Sequence, residues 1–260
     1  MKKINILVVT HKKYKFPKLN IYKPIEVNSN VLPDFGYLKD NDGENIADKN
    51  LNYCELTAMY WAWKNLDCDI IGINHYRRYL TVHSSKEVKN AKTFEEKMSL
   101  ILTRDDIQKT LKDYDVIVPY TKLYTKTVYT KYCQQHFQKD MDTVLDIIRK
   151  DYPDMSSSID KVMNSKKYAI CNMCVMNKEL YNEYCKWLFS VLFKLEKNTD
   201  MTGYSKLQQR LYGFLSERLF NVWMDYKKLS IKEANMVALE HDNLKSLYNK
   251  AWHRLLHKKL

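Results

Sequence analysis

The sequence predicts an α/β protein on a mostly parallel sheet whose second half turns increasingly helical. Four short, nearly continuous apolar runs, Ile4–Val9, Ile70–Asn74, Val116–Pro119 and Tyr168–Met176, read as strands buried on both faces, the habit of parallel sheets. Between and after them lie segments with apolar residues at helical spacing, and such alternation indicates a sheet covered by helices. A third observation narrows the class. Only five glycines occur in 260 residues, and neither G-x-G-x-x-G nor G-x-x-x-x-G-K-[ST] is present. Dinucleotide dehydrogenases with the glycine fingerprint and P-loop enzymes are excluded.

Taken in order, the first run follows Met1-Lys2-Lys3 and faintly resembles a secretory signal. It is interrupted by Asn5 and no small-residue cleavage site follows, so it is read as a buried first strand and a cytoplasmic location is expected. Tyr53, Leu56, Thr57, Tyr60, Trp61 and Trp63 sit on a helix expected from Asn50 to Asn65. Helices are also expected over Thr127–Lys150, Lys178–Lys197 and Tyr204–Tyr226. Near the C-terminus, Leu244, Leu247, Tyr248, Ala251, Trp252, Leu255 and Leu256 share one helical face, with Lys245, Lys250, Arg254 and Lys258 off it. That pattern suits a helix lying on an anionic membrane surface, or one docked on its own domain. The expected division is a domain over 1–226 and a basic amphipathic helical tail over 227–260.

Composition sets the outer limits. With 45% hydrophobic and 13% aromatic residues the chain has ample material for a core and is not a disordered one. No stretch approaches the roughly 20 apolar residues of a membrane span. The six cysteines of an unsecreted chain are expected as free thiols. Cys171 and Cys174 have C-x-x-C spacing, but no second such pair exists, and residues three apart on a strand face opposite ways. Net charge is +12, and it is concentrated at the ends. Residues 1–24 hold seven lysines and no acid, residues 227–260 hold seven lysines and Arg254 against three acids, and the middle is neutral. Basic ends on a neutral body point to something anionic at the periphery, such as a phosphorylated ligand or membrane surface, rather than to long nucleic acid.

Ligands of open α/β sheets collect beyond the carboxyl ends of the strands. After the first run come Thr10, His11, Lys12, Lys13 and Tyr14; after the second, His75-Tyr76-Arg77-Arg78-Tyr79. Two arginines between stackable rings suit a diphosphate, whose oxygens guanidinium groups meet bidentately; the alternative is a solvated basic turn. The polar loop Asp40–Asn50 offers amides and carboxylates to a base or ribose, or is a turn and helix cap alone. Three Asp-x-Asp pairs (Asp40/Asp42, Asp67/Asp69, Asp140/Asp142) are present, and none follows an apolar strand as a metal–diphosphate clamp would. No metal ligands are therefore assigned, and arginine is expected to replace the metal as counter-charge. Glu55, Glu217, Asp200 and His136 are candidates for proton transfer. Burial would raise the pKa of Glu217 toward that of a useful base, unless it forms a structural ion pair with Arg218 or Arg210.

Longer motifs carry a resemblance. Asn45-Ile46, Lys49-Asn50, Tyr53-Cys54-Glu55-Leu56-Thr57-Ala58, His75-Tyr76-Arg77-Arg78-Tyr79, Asn172-Met173 and Gly213-Phe214-Leu215-Ser216-Glu217-Arg218-Leu219 resemble, in order, the bacterial capsular and exopolysaccharide synthesis proteins long filed as a domain of unknown function and regarded as glycosyltransferases. The resemblance runs from about Ile4 to Trp223. It implies a GT-A-like (Rossmann-like) fold and a nucleotide-sugar-dependent hexosyltransferase. Such an enzyme moves a sugar, galactofuranose or another hexose, from a nucleotide-diphosphate donor, foremost a UDP-sugar, to a growing, commonly lipid-linked, cell-surface glycan. On that reading Thr10, His11, Tyr14, Asn45, Lys49, Asn50 and Glu55 bind the donor. His75, Arg77 and Arg78 hold the diphosphate and stabilise its departing charge. Asn172, Arg210 and Arg218 contact sugar or acceptor, and Glu217 deprotonates the acceptor. No cofactor is expected to be required, with Mn²⁺ or Mg²⁺ left open, and the protein is expected in the cytoplasm or peripherally on the inner face of the cell membrane. The competing classes are a non-enzymatic polyanion- or glycan-binding module, marked by salt-sensitive affinity, and a nucleotidyltransferase, which would need a carboxylate pair for Mg²⁺.

Overall fold

The computed structural model describes residues 2–239. Its first strand, β1 (Ile4–Thr10), is buried at all seven positions because it lies between two parallel neighbours, β2 (Tyr22–Glu26) and β4 (Ile70–His75). β3 (Leu38–Lys39) extends this parallel half beyond β2. Alternation along the strands sends side chains to two cores. Leu7, Val9, Ile71, Ile73, Val116 and Val118 face the larger one; Ile4, Ile6, Val8, Ile70, Ile117 and Val175 face the smaller.

The other half of the sheet is not parallel, which corrects the expected topology. β9 (Cys174–Asn177) runs antiparallel between β4 and β6 (Val116–Pro119). β10 (Ile231–Ala238) pairs parallel to β6 and antiparallel to β5 (Arg78–Thr81). β5 returns to the end of β4 through His75 and Arg78, closing a ring β4–β9–β6–β10–β5. Four pairings are parallel and four antiparallel. Residues 231–238, placed by the sequence in a helical tail, are thus a strand of the sheet. The amphipathic segment 244–256 lies outside the described residues.

Helices cover both faces. α1 (Asn50–Tyr53) and α2 (Leu56–Asn65) precede β4; α3 (Ser85–Asn90), α4 (Phe94–Ser99) and α5 (Arg104–Thr110) follow β5. A short hairpin, β7 (Lys122–Leu123) with β8 (Lys167–Tyr168), brackets α6 (Val128–Gln135), α7 (Gln138–Asp151) and α8 (Ser156–Asn164). α9 (Lys178–Lys197), at the expected bounds, and α10 (Leu211–Tyr226) complete the larger core. Lys178 Nζ donates to the carbonyl oxygens of Ala62 (2.7 Å) and Trp63 (3.3 Å), satisfying the C-terminal end of α2 with a cation. No helix among the described residues is long and apolar enough to cross a membrane.

Three expected elements are broken, each by a tertiary demand. The 50–65 helix is interrupted at Cys54, whose φ is 53°. The Tyr168–Met176 strand turns at Cys171 and Asn172, with φ of 74° and 48°. The 127–150 helix stops at His136, which stacks on Phe214 at 4.2 Å between ring centroids and bonds Gln208 Oε1 through Nδ1 at 2.9 Å. The helix expected from Tyr204 begins only at Leu211. All six cysteines are free thiols.

Two outcomes follow from this packing. A Cβ on Gly72 would lie 3.0 Å from Val175 Cγ2 and 3.1 Å from Ile6 Cγ1, so Gly72→Ala should lower stability by about 1–3 kcal/mol, read as a lower urea midpoint. Burial pushes the His136 pKa down to about 4, below the roughly 6.5 of an unfolded chain. The stability this contributes is complete above about pH 6.5 and is lost as pH falls toward 4. His136→Phe should therefore remove about 2 kcal/mol of the destabilisation seen between pH 7 and 5, measured by urea unfolding at both pH values.

Candidate active site

The parallel strands β1, β2 and β4 end on the same side of the sheet, and a cleft of about 550 Å³ opens beyond their carboxyl ends. From β1 come Thr10 and His11. Thr10 is buried and spends its hydroxyl locally, donating to the Lys12 carbonyl at 2.6 Å. His11 meets the Tyr76 ring edge-on at 5.3 Å. Burial, then the charges of Lys12, Arg77 and Arg210, lowers its pKa, so the imidazole is neutral at neutral pH.

His75 closes β4, and its Nε2 lies 2.6 Å from the Cys171 carbonyl oxygen; an acceptor there assigns the proton to Nε2. Tyr76 continues the pairing through its N–H to the Val9 carbonyl (3.1 Å). The Arg77 guanidinium lies over the Tyr76 ring at 4.9 Å. Arg78 begins β5, its Nη1 3.9 Å from Cys171 Sγ. Opposite them, Arg210 places Nε 3.2 Å from Cys54 Sγ. Burial raises that thiol to about pKa 11, so the sulfur is neutral and the arginine charge is not cancelled there. Lys206 also lines this wall. Arg77, Arg78 and Arg210, with Lys206, thus set four basic side chains around two carboxylates, Glu55 and Glu217, an arrangement that attracts a multiply charged anion.

The two carboxylates differ. Glu217 accepts the Cys171 N–H at Oε1 (3.2 Å) and Arg218 Nη1 at Oε2 (2.9 Å). Its pKa is raised, by burial first and by Glu55, against the pull of Arg218. The ion pair considered from sequence is therefore present. Glu55 accepts Asn172 Nδ2 at 2.7 Å through Oε1.

Of the residues singled out from sequence as ligand-binding or proton-transferring groups, Thr10, His11, Asn50, Glu55, His75, Tyr76, Arg77, Arg78, Arg210 and Glu217 line this cleft. The others do not. Tyr14 stands behind it, packed on Tyr76 at 5.0 Å. Asn45 serves its own loop, bonding the Asn41 and Gly43 carbonyls. Lys49 pairs with Glu196 at 2.8 Å. Asn172 and Arg218 are buried beneath the floor, Arg218 lying 5.5 Å from the Tyr132 and Tyr168 rings. His136 lies in the core, and Asp200 accepts the Thr202 N–H in a turn. Asp40 is buried, accepting from Thr57 Oγ1 and the backbone of Asn28 and Ser29. Asp67 and Asp69 hold Lys3, and Asp140 and Asp142 accept from Tyr204 and Tyr129. Among the described residues no three His, Cys, Asp or Glu side chains gather as a metal site.

Sequence reading missed Val27, Asn28 and Leu32, because Lys23 and Pro24 hide β2 as an apolar run. It also missed Leu51, Cys54, Cys171 and Lys206. The signal for Cys54 and Cys171 was their place within quoted motifs; Lys206 left none.

No curated protein matches the chain. The solved apo structure of the bifunctional glycosyltransferase WbbM is similar, with a TM-score of 0.84 and 30% sequence identity over 92% of this chain and 46% of that one. The chain thus spans about half the length of that protein. Residues 5–228 match the family described as a domain of unknown function, DUF4422, and by that extent of match the chain belongs to this family.

Proposed function

We propose that the protein is a glycosyltransferase that takes a hexose from a nucleotide-diphosphate donor. The observation that carries this is the cationic cleft at the carboxyl ends of β1 and β4, with Arg77, Arg78, Arg210 and Lys206 around two carboxylates. The 30% identity to a bifunctional glycosyltransferase supports the same reading, as does the run of sheet β3–β2–β1–β4, which fits a GT-A-like nucleotide half.

In this mechanism the donor diphosphate lies against Arg77, Arg78 and Arg210. His75, with its proton on Nε2 engaged by Cys171, keeps the β4–β5 corner in place. When the bond from the anomeric carbon to the diphosphate breaks, the negative charge that develops meets cations already in position, a contribution of about 3–4 kcal/mol per well-placed donor. Thr10, His11 and Asn50 border the nucleotide end. We take the donor to be a UDP-sugar, galactofuranose among the candidate sugars, and the acceptor to be a capsular, exopolysaccharide or other cell-surface glycan, as the sequence resemblance implies. The basic amphipathic pattern of residues 244–256 suits an acceptor carried on an anionic membrane surface. Arginine supplies the counter-charge that Asp-x-Asp and a divalent ion would otherwise provide.

Calorimetry against UDP, GDP, CMP and dTDP tests the reading. One nucleotide should bind, and Arg77→Ala should weaken it at least tenfold, a loss of about 1.5–3 kcal/mol for a charge-assisted contact, with the circular dichroism of the fold unchanged. Affinity only for polyanions such as heparin, falling steeply with salt, would establish the binding-module reading instead. Turnover of the donor should survive EDTA; activity abolished by chelation and restored by Mn²⁺ would refute the arginine counter-charge.

A further inference from the structure

We infer that Glu55, rather than Glu217, is the base that takes the acceptor's hydroxyl proton, and that Asn172 is the positioning residue that aims it; the inference rests on the sugar-transfer reading above. A base must offer an oxygen lone pair to the incoming hydroxyl. At Glu217 each carboxylate oxygen already accepts a hydrogen bond, one from the Cys171 backbone and one from buried Arg218. That carboxylate holds the 171–172 turn to α10. Glu55 lines the cleft with Oε1 held by Asn172 at 2.7 Å, and its Oε2 takes no hydrogen bond among the described residues.

The backbone around this contact is organised for it. Cys54 sits at φ 53°, ψ −128°, a conformation that side-chain-bearing residues avoid and that persists only when the surroundings enforce it. It ends α1, and α2 starts at Leu56, so Glu55 sits at the break between the two helices instead of within one. Asn50 Nδ2 secures the strained peptide by donating to the Cys54 carbonyl at 2.8 Å. Gly213 of α10 packs directly on Cys54, the position a Cβ would take lying 3.4 Å from Cys54 Cβ.

On the other side, Asn172 is also left-handed, at φ 48°, and is 4% exposed. Its Nδ2 donates to Glu55 Oε1 and to the Gly213 carbonyl (3.1 Å), and its Oδ1 accepts from Ser216 Oγ (3.1 Å). The amide is thereby oriented toward Oε1, leaving Oε2 as the oxygen turned to the cleft's contents. The hydrogen bond to this carboxylate is thus flanked by two left-handed residues from distant segments, Cys54 directly before Glu55 and Asn172 as its donor, and strain of this kind marks functional geometry.

The step balances as a single displacement. The acceptor hydroxyl proton passes to Glu55 Oε2 as the acceptor oxygen forms its bond to the anomeric carbon. The bond between that carbon and the diphosphate oxygen breaks, and its electron pair leaves on the diphosphate beside Arg77 and Arg78.

The test uses the full chain, UDP binding by calorimetry, and hydrolysis of UDP-glucose, UDP-galactose and UDP-galactofuranose, with water in the acceptor's place. Glu55→Gln is isosteric and keeps an acceptor for Asn172. It should bind UDP within about threefold of wild type yet lose on the order of 100-fold or more in turnover. Glu55→Ala should lose as much and regain part of its rate in added formate, which a purely structural role would not produce. Asn172→Ala should lower kcat with little change in donor KM. Wild-type turnover by Glu55→Gln, with UDP bound, would overturn the assignment and leave the donor site standing. A wild type that neither binds UDP nor consumes any of the three donors would overturn the sugar-transfer reading and the base with it.

Discussion

The structure depends on β4 being hydrogen-bonded along both edges. β1 occupies one edge and β9 the other, with β5 joining at the end. The edges of β4 are thereby satisfied and its two faces meet the two cores, so Ile70, Ile71 and Ile73 are all buried, and Gly72 is the residue that lets Ile6 and Val175 approach across it. Because His75 to Arg78 leave this strand without a linker, the position of the cationic corner is set by the core rather than by loop geometry. Close-packed interiors have few alternative arrangements, and the corner inherits that rigidity.

Around the corner the backbone departs from ordinary conformations. Among the described residues, five that are not glycine have left-handed φ: Asn28, Cys54, Cys171, Asn172 and Lys228. The first three line the cleft, and Asn172 braces its floor. Each is held by a specific partner, as with Asn50 on the Cys54 carbonyl and His75 on the Cys171 carbonyl. The same turn at 171–172 therefore links the imidazole, both carboxylates and α10. Segments far apart in sequence, at residues 50–55, 75–78, 171–172 and 213–217, are joined in this way into one set of contacts.

Much of this was legible in the residues. Ile4–Val9, Ile70–Asn74 and Val116–Pro119 are apolar because they are buried on two faces, and Lys178–Lys197 keeps helical periodicity from end to end. The rule that ligands gather at strand ends was enough to pick Thr10, His11, His75, Arg77 and Arg78. Other signals were present but weak: three capping boxes, at Ser84/Glu87, Thr93/Glu96 and Thr103/Asp106, mark α3, α4 and α5. β2 and β10 carry lysines and, in β2, a proline, so no apolar run announces them.

Sequence by itself determined the α/β class, the buried strands, the absence of a glycine phosphate loop and the cationic groups at two strand ends. These follow from local periodicity and residue chemistry, which neighbouring residues express without help. Tertiary structure decided the antiparallel closure of the sheet, the breaks at Cys54 and Cys171–Asn172, and the different hydrogen bonding of Glu55 and Glu217. Those depend on contacts between distant segments, such as Asn235 with Thr81, Cys171 with Glu217 and Asn172 with Glu55, and a left-handed cysteine or a carboxylate with one open oxygen has no local sequence signature because its cause lies in another segment of the chain.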